Sequence, residues 1–175
     1  GLLPRGACSG GYPFIMTGCP ATNMLVSTYM KDLMKKTKPS HAYEAIKRNH
    51  APGGMMSYES ADDLKFYVKK GYCPGNAGKT LEWAFQDWGL SRMALRMGKK
   101  SDAALYEKRS RAWTPLFNKN IGLILPKKEN GEWLHTDPLN GQGWVEANAW
   151  QATWSVSHDL PKLVELMGGG DAFCE

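Results

Sequence analysis

The stretch TLEWAFQDWGLSRMALRMGKKSDAALYEKRSRAWTPLF, residues 80 to 117, decides the fold class of this chain. The apolar residues that form one helical face in its first half are Leu81, Ala84, Phe85, Trp88 and Leu95. This spacing predicts a helix that ends at Gly98, and a second helix begins at Ser101. Because the connection is so short, the two helices are expected to form an antiparallel hairpin.

The residues before this hairpin carry three further helix patterns. One runs from Ala21 to about Lys36, with apolar residues three and four apart. A second opens at Ser40, and the PGGMM run that follows it, residues 52 to 56, is predicted to be a loop. The third begins after Ser60 and ends at Gly71, with acidic residues in its first turn and lysines in its last.

The residues after the hairpin change character. In IGLILPKKENGEWLHT, residues 121 to 136, Asn130-Gly131 separates two apolar runs. Asn-Gly suits the positive φ angles of a tight turn, so a β-hairpin is predicted here. Asp159, with Pro161 in the first turn, predicts another helix, and Asp171 is expected to start one more.

These patterns predict an all-α chain with a small β-hairpin insert. Residues 1–20, rich in glycine and proline, are predicted to be a loop or linker, and residues 21–175 to form one helical unit. Six or seven helices connected in sequence order fit part of an (α/α)6 toroid as well as an irregular bundle. A chain of 175 residues is long enough for one domain with a core.

Composition argues against several classes of protein. The net charge is 22 minus 17, or +5, but the basic residues are dispersed near helix ends, where the backbone dipole favours cations, and nucleic-acid binding is not expected. No run of eighteen apolar residues occurs, so no membrane span is expected. The four cysteines contain no CxxC pair, which argues against zinc, and their spacing chooses neither disulfides nor core packing.

Glu146 is the residue whose surroundings need explaining. It lies in GQGWVEANAWQATW, residues 141 to 154, among glycines, tryptophans and uncharged amides. One explanation is structural, because a glutamate near a helix N-terminus accepts hydrogen bonds from free backbone N–H groups. The other is catalytic. Trp144 and Trp150 would desolvate the carboxyl and favour its protonated form, as a general acid needs, while Asn148 and Gln151 would bind hydroxyls of a sugar.

The other candidate groups are better explained by structural roles than by catalysis or metal binding. Glu82 and Asp87 lie five residues apart on the tryptophan-rich helix and therefore point to different sides. A buried glutamate bonded to backbone or arginine is the favoured interpretation of Glu82. The adjacent residues Ser157, His158 and Asp159 cannot form a catalytic triad because their side chains diverge. The four histidines show no metal-ligand spacing.

The segment GWVEANAWQATWSVSHDLPKLVELMGGGDAF, residues 143 to 173, resembles the signature of glycoside hydrolase family 92. The family pattern is an acid-Gly-Asn-Ala-Trp-Gln run followed by Pro-His-Asp, and here Ala147 replaces the usual glycine and Ser157 the usual proline. The segments AGKTLEWAFQDWGLSRMALRMGKK, KRSRAWTPLFN and HAYEAIKRN also resemble family helices. The resemblance runs from about Gly11 to Glu175, nearly the whole chain.

The resemblance implies a fold and a chemistry. Members are exo-acting α-mannosidases that pair a β-sandwich with an (α/α)6 toroid, and this chain would form the first part of the toroid. They are calcium-dependent and inverting. Glu146 would match the general acid that protonates the departing glycosidic oxygen. Calcium would engage the O2 and O3 hydroxyls of the terminal mannose.

The resemblance also implies that the site is incomplete in this sequence. The catalytic base and the calcium ligands of the family lie in segments that do not occur here, and an inverting site needs a second carboxylate across the sugar ring. The chain also lacks an initiator Met and stops just after an expected helix start. It is therefore predicted to be inactive alone, and to need the rest of the toroid and a β-sandwich domain.

Two other functions remain open. A non-catalytic helical module could hold a sugar with Trp144, Trp150 and Trp154, and a helical scaffold could use the +5 charge for an acidic partner. The family acts on glycans outside the cytoplasm, which implies a secreted or periplasmic protein. The linkage preference and the oligomeric state have no signal in the sequence.

Overall fold

The computed structural model describes residue 3 and residues 16–174, and this part of the chain is helical. Its α-helices are α1 (Pro20–Met30), α2 (Pro39–Asn49), α3 (Met55–Glu59), α4 (Ala61–Lys70), α5 (Ala77–Arg96), α6 (Lys100–Arg109), α7 (Ala149–Ala152), α8 (Leu160–Met167) and α9 (Gly170–Cys174). Two short strands, β1 (Phe117–Asn118) and β2 (Leu123–Ile124), pair antiparallel. The all-α prediction with a small hairpin is confirmed. None of the described helices combines the length and the hydropathy that a membrane crossing requires.

Helix α5 is the centre of the fold. Its N-terminus is capped by Asn76, whose Oδ1 accepts a hydrogen bond from the backbone N–H of Lys79 at 2.8 Å. Most of its twenty residues are buried, and they face different neighbours. Helix α5 therefore packs against α1, α2 and α6. Gly98, with φ of +74°, turns the chain back into α6, which confirms the predicted helical hairpin.

A buried polar network joins α5 to four other helical segments. Asp87 Oδ1 lies 2.7 Å from His50 Nδ1, and Asp87 Oδ2 accepts hydrogen bonds from Tyr67 Oη at 2.9 Å and Arg109 Nε at 2.8 Å. The other His50 nitrogen lies 2.9 Å from Thr22 Oγ1. Burial and the Asp87 charge raise the pKa of Tyr67 well above its usual value, which keeps its hydroxyl a donor. The network therefore connects α1, α2, α4, α5 and α6 through one carboxylate.

The first predicted helix is shorter in the structure than in the prediction. It ends at Met30, and Asp32 takes a positive φ of +58° soon after. The reason is tertiary, because Arg96 donates to the carbonyls of Tyr29 at 3.1 Å and Met30 at 2.7 Å and also pairs with Asp32 at 2.7 Å. These contacts satisfy the last carbonyls of α1 without another helical turn.

The β-pairing differs from the prediction in its position. The partners are Phe117 with Ile124 and Asn118 with Leu123. Around Asn130-Gly131 the chain does turn back on itself, with φ of +88° at Gly131, a bridge between Lys127 and Trp133 and backbone hydrogen bonds across the turn, but these residues form no regular strands. The regular strand pairing lies earlier, because the apolar run after residue 121 pairs backwards along the chain with residues 116–118.

The predicted start and stop signals of α4 are confirmed. Ser60 Oγ accepts from the backbone N–H of Asp63 at 3.2 Å, and Gly71 ends α4 with φ of +88°. The PGGMM run is not all loop, because α3 begins at Met55 and its methionines are buried in the core. Of the described cysteines, Cys19 and Cys73 are buried and Cys174 is exposed. Cys8 and most of the predicted opening loop lie outside the described residues.

Candidate active site

The Glu146 loop, defined here as residues 141–148, is attached to the first turn of α5. The backbone N–H of Gly78, otherwise unsatisfied at a helix N-terminus, donates to the carbonyl of Gly143 at 3.1 Å. Gly143 has φ of +87°, and a Cβ there would lie 2.9 Å from the carbonyl oxygen of Gly75. Glycine is therefore required at this point of closest approach.

A cavity of about 290 Å³ lies between this loop and α5. Its floor is the face of α5 that carries Gly78, Leu81, Glu82 and Phe85, at spacings of three, four and seven residues. The opposite wall is formed by Trp144, Val145, Ala147 and Gln151. The mixture of apolar walls with a few polar groups is typical of a small-ligand site, and the volume is near the lower end of the usual range.

Segment 16–18 forms a third wall of the cavity, and Glu59 of α3 holds it in place. The Glu59 carboxylate accepts hydrogen bonds from the hydroxyl of Thr17 and from the backbone N–H of Gly18, the latter at 2.9 Å. The same carboxylate lies 3.4 Å from Trp83 Nε1 on α5. The wall is thus fixed to the core of the molecule.

Glu146 does not itself line this cavity, but Val145 and Ala147 on either side of it do, so its backbone passes along the rim. Its backbone adopts φ of +51°, a conformation that costs a residue other than glycine about 1 kcal/mol or more and that recurs at functional sites. Its carboxylate is exposed and makes no hydrogen bond or ion pair with the described residues.

The idea that the two flanking indoles desolvate Glu146 is wrong for this chain. The Trp144 indole is 9 % exposed and belongs to the core, whereas Trp150 is 54 % exposed. Neither ring encloses the carboxylate, which remains exposed. Groups other than these two indoles would have to exclude water from the Glu146 carboxylate.

The predicted substrate-binding residues divide into two sets. Trp144 and Gln151 line the cavity, whereas Asn148 and Trp150 do not. Asn148 and Gln151 form a capping box at the start of α7, in which each side-chain oxygen accepts from the other residue's backbone N–H, at 3.1 and 3.2 Å. Local helix initiation accounts for the Asn148 side chain in this structure.

Glu82 lines the cavity, whereas the sequence predicts a buried glutamate bonded to backbone or arginine. Its carboxylate accepts a hydrogen bond from the Gln86 amide, not from backbone or arginine, and it faces the cavity while Asp87 faces the buried network. Burial, and to a smaller extent the Glu59 charge, raise the pKa of Glu82 above its ordinary value. The available signal was the spacing of Gly78, Leu81, Glu82 and Phe85, but no sequence pattern shows which helix face meets a cavity.

Calcium has no recognisable site in the described part of the chain. Residue 3 and residues 16–174 contain no group of three or more histidine, cysteine, aspartate or glutamate side chains that could hold a metal ion. Calcium needs six to eight oxygen ligands, and the described residues do not bring such a set together.

Comparisons with known proteins agree on the family. The sequence model of the glycosyl hydrolase family 92 catalytic domain matches residues 1–175. The solved structure of the family GH92 inverting mannosidase BT2199 from Bacteroides thetaiotaomicron superposes with a TM-score of 0.89 and 29 % identity. The family GH92 α-mannosidase BT3965 from the same species gives a TM-score of 0.86 at 24 % identity, which shows the fold alone.

The chain spans about a quarter of the length of these relatives. It is covered to 99 % by both bacterial structures but accounts for 24 % and 23 % of their chains. A protein named as an uncharacterized secreted glycosidase, from Arthroderma benhamiae, is 24 % identical over an alignment of 206 positions that covers 95 % of this chain and 26 % of the relative.

Proposed function

Because the chain belongs to glycosyl hydrolase family 92, we propose that it is the acid-bearing part of an inverting, calcium-dependent α-mannosidase, with Glu146 as the general acid. The observation that carries this proposal is the position of Glu146, which is held in a left-handed conformation at the rim of a cavity of about 290 Å³. The relative with 29 % identity is described as an inverting mannosidase, which supports this choice of reaction.

In the proposed mechanism, this chain supplies proton transfer and part of the sugar-binding surface. Glu146 donates its proton to the glycosidic oxygen as the bond to the anomeric carbon breaks. An inverting reaction also needs a carboxylate about 6.5–9.5 Å away, which activates a water on the opposite face of the ring. That base belongs to a part of the enzyme outside the described residues.

The cavity walls suit a sugar ring at the position next to Glu146. Phe85 provides aromatic surface, the largely buried Trp144 backs the opposite wall, and Glu82 and Gln151 provide polar groups on opposite walls. Apolar ring faces and polar hydroxyl edges together match a pyranose. The exposed Glu146 carboxylate would become enclosed only when substrate or the rest of the catalytic domain covers the rim.

We expect the isolated 175-residue chain to be inactive. Large hydrophobic side chains remain exposed, and the set includes Met24 (64 %), Leu33 (61 %), Leu95 (53 %), Leu139 (67 %) and Trp150 (54 %). These residues would be covered in a larger helical domain. Hydrolysis of α-1,2-mannobiose should therefore be absent with this chain plus calcium, and present with the longer protein of which we propose it is a part. Turnover by the chain alone would refute this prediction.

A second candidate is a non-catalytic sugar-binding module. It is favoured by the exposed indoles of Trp150 and Trp154, at 54 % and 43 %, because sugars stack on exposed aromatic rings. Turnover of α-1,2-mannobiose by the longer protein separates the two candidates, since a binding module hydrolyses nothing, whereas both candidates should keep their affinity for the sugar when Glu146 is replaced by Gln. The relative named as secreted supports a location outside the cytoplasm for either candidate.

A further inference from the structure

We infer that Glu82 is a substrate-binding carboxylate of this site, in addition to Glu146. It accepts a hydrogen bond from a ring hydroxyl of the sugar in the cavity and orients that ring toward Glu146. This inference rests on the proposed function and goes beyond it, because it assigns a contact to a residue outside the Glu146 loop. Glu82 acts here in binding and orientation, and it takes no part in the proton transfer.

Glu82 is placed on the correct surface by the geometry of α5. Gly78 and Glu82 are four residues apart, so they lie one above the other on the same helix face. The Gly78 N–H is bonded to the Gly143 carbonyl of the Glu146 loop at 3.1 Å, and both residues flanking Glu146 line the same cavity as Glu82. One turn of helix therefore separates the Glu82 side chain from the anchor of the Glu146 loop.

Close packing holds the Glu82 side chain in one position. A Cβ at Gly18 would lie 2.4 Å from Glu82 Cγ, so the main chain of segment 16–18 lies directly against the side chain. One carboxylate oxygen accepts from the Gln86 amide, and the Gln86 Oε1 in turn accepts from the backbone N–H of Cys19 at 2.6 Å. Such a fixed acceptor can orient a ligand at little entropic cost.

The second oxygen of Glu82 is available to a ligand. It makes no hydrogen bond with the described residues, and no described cation forms an ion pair with this carboxylate. Burial disfavours its ionised form, and the nearby Glu59 charge disfavours it further. A half-buried carboxylate without a compensating cation, on the floor of a cavity, is expected where a ligand supplies the missing hydrogen bond.

The substitution Glu82→Gln in the longer protein tests the inference. The Gln side chain keeps the size and can still accept from the Gln86 amide, but its second group no longer accepts from a hydroxyl. We expect kcat/KM for α-1,2-mannobiose to fall by about 10- to 100-fold, mainly through a higher KM, because a hydrogen bond to a charged acceptor is lost. The matched control is Glu165→Gln, whose side chain is 66 % exposed on α8, and its kcat/KM should stay within twofold.

A series of deoxy-mannosides identifies the bonded hydroxyl. Removal of that hydroxyl should lower kcat/KM of the wild-type enzyme by a factor close to the effect of Glu82→Gln. The same removal should lower kcat/KM of the variant little further, since the two changes remove the same interaction. If wild type and variant discriminate equally against every deoxy sugar, or if kcat/KM of the variant stays within twofold of wild type, the inference is wrong.

Thermal unfolding separates a binding role from a structural role. Because the folded-state pKa of Glu82 is raised, the folded state holds its proton more tightly than the unfolded state does, and stability falls as pH rises through the interval above the ordinary value of 4.5. Glu82→Gln should remove this loss, so its Tm at neutral pH should equal or exceed that of wild type. A lower Tm with a proportionate loss of activity would assign Glu82 a structural role instead.

The outcome for Glu146→Gln tells the two proposals apart. If Glu146→Gln abolishes turnover and Glu82→Gln does not affect kcat/KM, only the Glu82 inference fails. If Glu146→Gln leaves turnover intact, the proposed function itself fails, whatever the result for Glu82.

Discussion

Replacement of Glu146 by Gln is expected to lower the rate of α-mannoside hydrolysis by about 10²–10⁴-fold or more in the longer protein. Gln has nearly the same shape but cannot donate a proton from a carboxyl group to the leaving oxygen. KM should change little, because the wall that would contact the sugar is formed by the neighbours of Glu146 and not by its carboxylate, which stands at the rim of the cavity. Initial rates with α-1,2-mannobiose in the presence of calcium measure the effect.

The choice of leaving group makes this test specific for acid catalysis. An aryl mannoside whose phenol leaves without protonation needs no general acid for bond cleavage, so Glu146→Gln should slow it much less than it slows the disaccharide. The control Glu132→Gln, at an exposed side chain outside the cavity, should leave both rates within twofold. Equal losses on both substrates would contradict the role of Glu146 as the acid.

Replacement of Asp87 by Ala is expected to destabilise the protein by about 3–5 kcal/mol, because it leaves the buried guanidinium of Arg109 without its partner. The Asp87 side chain is fully buried and the Arg109 side chain is 11 % exposed. The substitution also removes the partners of His50 Nδ1 and Tyr67 Oη. For a chain of this size the loss corresponds to a fall in Tm of roughly 6–20 °C.

Thermal unfolding followed by circular dichroism measures this fall, and Asp62→Ala is the matched control. Asp62 pairs with Lys65 at 3.0 Å on the surface of α4, and its side chain is 92 % exposed, so its removal should change stability by less than about 0.5 kcal/mol. Failure of only the Asp87 variant to accumulate as soluble protein would be the same result in stronger form. A Tm within 2 °C of wild type would contradict the network's importance.

Local signals explain which parts of the fold could be predicted. The helix boundaries at Ser60, Gly71 and Gly98 depend on capping and on positive φ angles, which short sequence windows encode. The end of α1 could not be predicted in this way, because Arg96, more than sixty residues later, bonds its last carbonyls. The pairing of β1 with β2 was missed for a related reason, since an apolar run does not specify its partner strand.

In the candidate site, too, the features set by local sequence could be predicted, and those set by long-range contacts could not. The loop that carries Glu146 was found from its residue types, and its attachment to a cavity is visible only in the structure. Glu82 was assigned a core role because helix periodicity reports that a face is apolar without reporting what the face meets. The enclosure of Glu146 by Trp144 and Trp150 was inferred from adjacency along the chain, but one indole turned into the core and the other toward solvent.

The attachment of the Glu146 loop to α5 uses main-chain atoms of Gly78 and Gly143, and this has a consequence for divergence among related enzymes. Side chains at positions such as Val145 and Ala147 can change without loosening the anchor, so Glu146 keeps its location while the rim around it is reshaped. We therefore expect new linkage preferences to arise by rim substitutions, and a bulkier residue at Gly143, where a Cβ would lie 2.9 Å from the carbonyl oxygen of Gly75, to be tolerated far less often.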